Sequence, residues 1–212
     1  MLNWMSLSLP IHESMVVYKN LEDKKPHIET TRNFAEHGMH ESTLHLPLHT
    51  GTHVDYPLHA IDGGKCSSDY QRFPVAFTAI VVDLCPQPPK AIGLEHVQNL
   101  DLKTVDAVFF RTLAHPLEVF DPNFPGVTDE AASWLCQHPL LFVGIDQPGV
   151  ERAQPGHPTH IQLLQKDILI IEGLDLSPLA GGGRLRCWAY TLGIQGVDAE
   201  PILVYAQADA PS

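Results

Sequence analysis

Eleven consecutive residues carry most of the chemistry legible in this chain: His49-Thr50-Gly51-Thr52-His53-Val54-Asp55-Tyr56-Pro57-Leu58-His59. Neutral imidazoles next to a carboxylate are a common ligand set for a catalytic divalent metal. On an extended path His53 and Asp55 point to the same side, because side chains alternate along a strand. Gly51 lets the chain turn, so that His49 comes round to the same point. With no cysteine in the segment, a closed structural zinc site is disfavoured. A metal with an open position lowers the pKa of a bound water and presents hydroxide to a carbonyl. His59 lies four residues beyond Asp55 and is either a further ligand or a proton carrier. The proton carrier is preferred: an amide leaving group needs a general acid, and histidine titrates near neutrality. The plain alternative is a polar turn whose side chains bond to the backbone. That accounts for a short HxxxHxD fragment better than for all eleven residues.

The surrounding pattern says what must position these groups. Leu44, Leu46 and Leu48 alternate with His45, Pro47 and His49, which predicts a strand with its leucines toward the core and His49 on the other face. Pro47 makes that strand an edge or an irregular one. Residues 5–11 read as a short strand, and residues 12–40 as loop with short strands, a rim or lid. Apolar runs at 77–84, 105–110, 140–145, 168–171 and 202–206 read as strands. A short helix is expected over 94–99. Thr128 followed by Asp129 and Glu130 marks a helix start, and Pro158 opens another helix through His160, Leu163 and Leu164. Gly181-Gly182-Gly183 reads as loop. Glu172 ends the apolar run 168–171, so it is at a strand end, paired, or metal-bound. Continuous apolar strands mixed with helices argue for an α/β protein.

The 212 residues suit a single domain over 1–212. Thirteen Lys and Arg against 25 Asp and Glu leave a formal charge of -12, which weighs against nucleic acid and against an anionic membrane surface as partners. No apolar run approaches a membrane span, and Met1-Leu2-Asn3-Trp4 lacks the features of a secretory leader. A cytoplasmic location is therefore expected. Cys66, Cys85, Cys136 and Cys187 form no CxxC pair and are expected to be free thiols. GxGxxG, GxxxxGK[ST] and GxSxG are all missing, so a nucleotide fold or serine hydrolase has no motif support. Arg111 and Arg184 read as partners for acidic residues more readily than as anion ligands.

The eleven-residue segment resembles the HxGTHxDxPxH signature of the cyclase family of metal-dependent hydrolases, which includes bacterial kynurenine formamidases and isatin hydrolases. Every fixed position of the signature is present. Gly144-Ile145-Asp146, His160-Ile161-Gln162-Leu163-Leu164, the strand ending at Glu172 and Glu41-Ser42 extend the likeness over roughly residues 5–208. The resemblance implies a swivelling β/β/α fold, with mixed sheets and flanking helices, and a homodimer. It implies that His49, His53 and Asp55 hold a first divalent ion, zinc or manganese, with Glu172. Asp55 and Glu172 would bridge to a second ion also held by His160, although some relatives use one ion. His59 would be the acid/base. The implied reaction is hydrolysis of a small-molecule formamide or amide C–N bond, with N-formyl-kynurenine giving kynurenine and formate.

The likeness thins on the substrate side. Tyr18 stands where formamidases carry a tryptophan that encloses the aromatic substrate, and is taken as substrate-binding on that basis. Gln147-Pro148-Gly149-Val150-Glu151 replaces a serine followed by an aspartate. Asp198-Ala199-Glu200-Pro201-Ile202-Leu203 lacks an arginine common near that point. A cyclic amide or lactone such as isatin, and a non-catalytic metal or small-molecule binding protein, stand as the alternatives.

Overall fold

The computed structural model describes residues 4–70, 73–152 and 154–208. Its centre is a closed sheet. Strands β1 (Met5–Ser6), β4 (His53–Asp55), β5 (Val75–Asp83), β6 (Ala107–Arg111), β7 (Phe142–Ile145), β8 (Leu169–Glu172), β9 (Gly183–Thr191) and β10 (Ala199–Ala208) run in the order β1-β10-β4-β8-β7-β6-β5-β9. A further pairing of β9 with β10 closes seven of them into a barrel. Strands β5 to β8 are mutually parallel, and β4, β9 and β10 join by antiparallel pairings. Closure leaves these strands no free edge.

The parallel strands are buried along their whole length at β6, β7 and β8, which explains the unbroken apolar runs in the sequence. Phe109, Phe110 and Phe142 are among the largest side chains with no exposure. Helices α2 (Asp129–Leu135) and α3 (Pro158–Gln165) pack against one another, and α3 against β8. The Thr128 side chain caps α2, accepting from the Ala131 amide at 3.2 Å. Pro158 stands in the first turn of α3, where a missing amide hydrogen costs nothing.

The structure corrects several expectations. The leucine alternation at 44–48 does not reach the core. Strand β3 (Glu41–His45) pairs with β2 (His27–Arg32) in a separate two-stranded ribbon with every residue exposed, and Leu44 is 50% exposed. A period of two is satisfied equally by a ribbon lying outside the barrel. The helix α1 (Phe34–His37) sits between the two ribbon strands, within the stretch read as loop. The strand expected over 5–11 is confined to β1, and the helix at 94–99 is a single 3-10 turn, Leu94–His96. The glycine loop runs directly into β9, where Leu185, Cys187 and Ala189 point inward between exposed neighbours. The N-terminal Met1-Leu2-Asn3 and the tail beyond 208 lie outside the described residues. All four cysteines are free, and no helix among the described residues is long and apolar enough to cross a membrane.

Candidate metal centre

Strand β4 is three residues long and wholly buried, lying between β8 and β10. Its register sets the site. His53 pairs with Glu172 and Asp55 with Ile170 across β8, while Pro201 and Ala199 of β10 flank the same residues. Alternation sends His53 and Asp55 to one face, and Val54 into the core cluster on the other. Gly51 takes φ +67, the left-handed turn that brings His49 back over Asp55. Gly173 is also left-handed, at φ +65, and a Cβ there would lie 2.4 Å from the Gly51 carbonyl oxygen. Two glycines therefore let the end of β8 and the 49–52 turn touch, and the Thr52 hydroxyl ties them by donating to the Gly173 carbonyl.

Six sequence-predicted residues meet in one cluster. His49 Nδ1 lies 3.0 Å from Asp55 Oδ1, and His53 Nε2 is 3.5 Å from the same oxygen and 3.4 Å from Glu172 Oε2. From α3, His160 Nε2 is 3.3 Å from Glu172 Oε1 and 3.7 Å from Asp55 Oδ2. The short turn Pro57–His59 carries the His59 ring to 4.1 Å from His49 and 5.4 Å from His160, between ring centres. Tyr18 is outside this cluster. It lies in the turn Tyr18–Asn20, edge-on to Phe120 at 5.3 Å, and lines a cavity of about 450 Å³ whose wall also includes His49 and His53.

Asp55 has no exposure, and neither of its carboxylate oxygens has a hydrogen-bond partner; His53 Nε2 is equally unpartnered. The 3.0 Å approach of His49 is close but not aligned as a hydrogen bond. Leaving a buried carboxylate in this condition is costly. Ligand atoms of His53, Asp55 and Glu172 lie within 4.8 Å of one another, as do those of His49, Asp55 and His59. A divalent cation satisfies such a donor set directly, so the residues fit a metal.

Electrostatics agree. Burial disfavours a charged His49, but Asp55 and Asp198 outweigh it and raise its pKa to about 9. Burial is likewise overcome at His160, where Glu151, Glu172 and Asp55 raise it to about 10, and at His53, raised by Asp55 and Glu172. Glu172 is buried yet held low by His160 and His53. Only His59 moves the other way, lowered by burial and by His49 and His160, against the pull of Asp55 and Glu172.

Two carboxylates were invisible as participants from sequence. Asp198 Oδ2 lies 2.8 Å from His49 Nε2 and 3.7 Å from His59 Nδ1. It sits one residue before Ala199, which pairs with Asp55, and only that pairing across the sheet reveals it. Glu151 Oε1 is 2.7 Å from His160 Nδ1, and its carboxylate also accepts from the Thr159 and His160 amides at the start of α3. A glutamate shortly before a proline-opened helix was the available signal. Arg111 is buried against Asp83 at 2.7 Å and the Leu176 carbonyl at 3.0 Å, as expected of a structural pair. Arg184 lies on the surface near Asp101.

Residues 5–152 match the model of the family named Cyclase. This chain belongs to the cyclase family. It is 31% identical over 183 residues to a kynurenine formamidase of Salinibacter ruber, covering 85% of each chain. It is 29% identical over 202 residues to one of Geobacillus thermodenitrificans, covering 94% of each. A solved structure described as a potential metal-dependent hydrolase with cyclase activity superposes with a TM-score of 0.85, at 32% identity, over 99% of this chain and 100% of that one. Isatin hydrolase A from Ralstonia solanacearum superposes with a TM-score of 0.81 over 98% of this chain and 92% of that one, at 21% identity, a likeness of fold to this cyclase-family chain.

Proposed function

We propose that this chain is a metal-dependent amidohydrolase of the arylformamidase kind, cleaving the formamide C–N bond of N-formyl-kynurenine to give kynurenine and formate. The observation that carries the reading is the buried, unpartnered Asp55 carboxylate, ringed by His49, His53, His160 and Glu172 beside an apolar cavity. We assign His49, His53 and Asp55 to one divalent ion, zinc or manganese. Asp55 and Glu172 would bridge to a second ion also held by His160. Such an ion supplies a Lewis acid that acidifies water and steadies an oxyanion.

The remaining work falls to the chain. His59, neutral because burial and two neighbouring histidines hold its pKa down, takes a proton as water adds to the formyl carbon. It returns that proton to the nitrogen as the C–N bond breaks. Asp198, 3.7 Å from His59 Nδ1, steadies the ring. Tyr18 and the apolar side chains around it receive the aryl group and keep water from it. The kynurenine formamidase relatives support this substrate. We read the whole chain as one hydrolase domain, working as a cytoplasmic homodimer on a small molecule; the four free thiols suit a reducing compartment.

The test is hydrolysis of N-formyl-kynurenine by the metal-loaded protein, the stripped protein and His59→Ala. Turnover that vanishes on stripping, returns with metal and collapses in the variant supports the reading. Full activity in verified metal-free protein overturns it. Gln147 and Pro148, in the departing segment after Asp146, and Tyr18 line the cavity. They favour a cyclic amide or lactone as the second reading if formamides fail. Metal binding without turnover on any acyl compound would instead mean a non-catalytic binder.

A further inference from the structure

The His/Asp/Glu cluster has cavities on two sides. The apolar one described above takes His49 and His53 into its wall. A second, of about 360 Å³, takes His59 and His160 into its wall and shares no lining residue with the first. Its remaining surface comes from Leu58, Ala60, Ile61 and Ile161, with Asp62, Gly156 and His157 completing it. The cluster is therefore a partition, with His49 and His53 toward one space and His59 and His160 toward the other.

An amide placed with its carbonyl carbon at such a partition is planar, and its two substituents point away from each other. The nitrogen substituent, in the reading above, fills the cavity at Tyr18. The acyl substituent then points past His59 and His160. In a formamide that substituent is a single hydrogen, which leaves the second cavity unfilled.

We propose that the second cavity, lined by Leu58, Ala60, Ile61 and Ile161, is an acyl pocket, and that the enzyme hydrolyses anilides of short fatty acids as well as formanilides. The proposal rests on the amidohydrolase reading and adds the acyl side of its substrate class. Leu58, Ile61 and Ile161 offer aliphatic surface that suits an alkyl chain and gives a formyl hydrogen nothing to select.

The experiment compares formanilide, acetanilide and butyranilide on the manganese-reconstituted protein, with Ile161→Trp and, independently, Ala60→Leu to narrow the pocket. Folding of each variant is checked by circular dichroism and metal stoichiometry. Acetanilide and butyranilide are expected within about threefold of each other in kcat/KM, since their intrinsic reactivities are alike. The butyryl-to-formyl ratio is expected to fall at least tenfold in either variant. A wild-type butyranilide rate a hundredfold below acetanilide, or a ratio unmoved in both variants, overturns the pocket. If N-formyl-kynurenine is turned over and no anilide is, the acyl pocket is overturned; if neither is turned over, the formamidase reading fails on its own, and binding of butyrate and formate by calorimetry decides the pocket. Selective weakening of butyrate in Ile161→Trp sustains it, and absent or equally weakened butyrate binding rejects it.

Discussion

His53 on β4 stands directly opposite Glu172 on β8, with His53 Nε2 3.4 Å from Glu172 Oε2. One antiparallel register thus joins the signature segment to a carboxylate more than a hundred residues away. A shift of β4 by one residue would turn both His53 and Asp55 into the core and present Val54 to the site. The metal chemistry is therefore tied to the pairing of a three-residue strand.

Asp55 is the residue whose loss the centre tolerates least. Asp55→Asn keeps the shape and removes the charge. Metal affinity is expected to drop by more than roughly 100-fold, beyond the 10–100-fold typical for residues that only support a ligand. Metal content after dialysis, read by elemental analysis, checks this. An unaltered stoichiometry would contradict the assignment.

Glu151 acts one step further out. It fixes His160 Nδ1 at 2.7 Å and receives two amides at the head of α3. Glu151→Ala should weaken metal binding by about 10–100-fold and cost about 1 kcal/mol through the lost helix cap. Glu151→Gln retains an acceptor and should recover most of the stability but less of the affinity. Urea unfolding and metal titration separate the two effects.

Metal uptake should release protons. In the metal-free protein His49 and His160 titrate near 9 and 10, above the usual 6.5, so at pH 7.5 both hold protons that a cation displaces. Affinity is expected to climb with pH until about 10 and to fall in acid. The same shifts set the stability of the metal-free form. Their contribution is fully present below about pH 6.5 and is lost as pH rises through 9 and 10. Calorimetry in buffers of different ionisation enthalpy counts the protons, and thermal melts of stripped protein from pH 6 to 10 follow the stability. A flat profile would refute the coupling.

Gly173→Ala tests the close approach behind Glu172. The added Cβ would meet the Gly51 carbonyl oxygen at 2.4 Å, in a left-handed conformation. Strain of roughly 1–3 kcal/mol is expected, with the end of β8 displaced and metal affinity reduced. A variant as stable as the parent would show that the 49–52 turn can yield.

Tyr18 should govern substrate affinity alone. Tyr18→Ala removes an edge-to-face partner of Phe120 and an aromatic wall worth about 0.5–1.5 kcal/mol. KM for N-formyl-kynurenine is expected to rise roughly 2- to 10-fold with kcat little changed, while Tyr18→Phe stays near the parent. A loss confined to kcat would place Tyr18 elsewhere in the reaction.

The residues legible in the sequence were those whose environment is local. The parallel strands announce themselves as apolar runs because both their faces are buried, and Thr128 and Pro158 carry helix starts in their own chemistry. The turn at Gly51 and the alternation of His53 with Asp55 could be read within a few residues. The failures have different causes. Leu44 satisfies the same period whether its strand lies in the barrel or in an outer ribbon. Strand β9 alternates from Arg184-Leu185 to Ala189-Tyr190, but only the three glycines at its start were read, as loop. Asp198 reaches His49 through the β10–β4 pairing, which no local pattern encodes.

That pairing also orders events in the life of the molecule. Asp55 is flanked by Ile170 on one side and Ala199 on the other, so β4 has both its pairings only when β10 is in place. The neighbour on β8 lies more than a hundred residues beyond the signature segment and the neighbour on β10 some 140 beyond it. Pairings between residues this distant in sequence are slow to form. A fragment that stops short of β10 contains every proposed ligand but lacks one of the two pairings that hold β4.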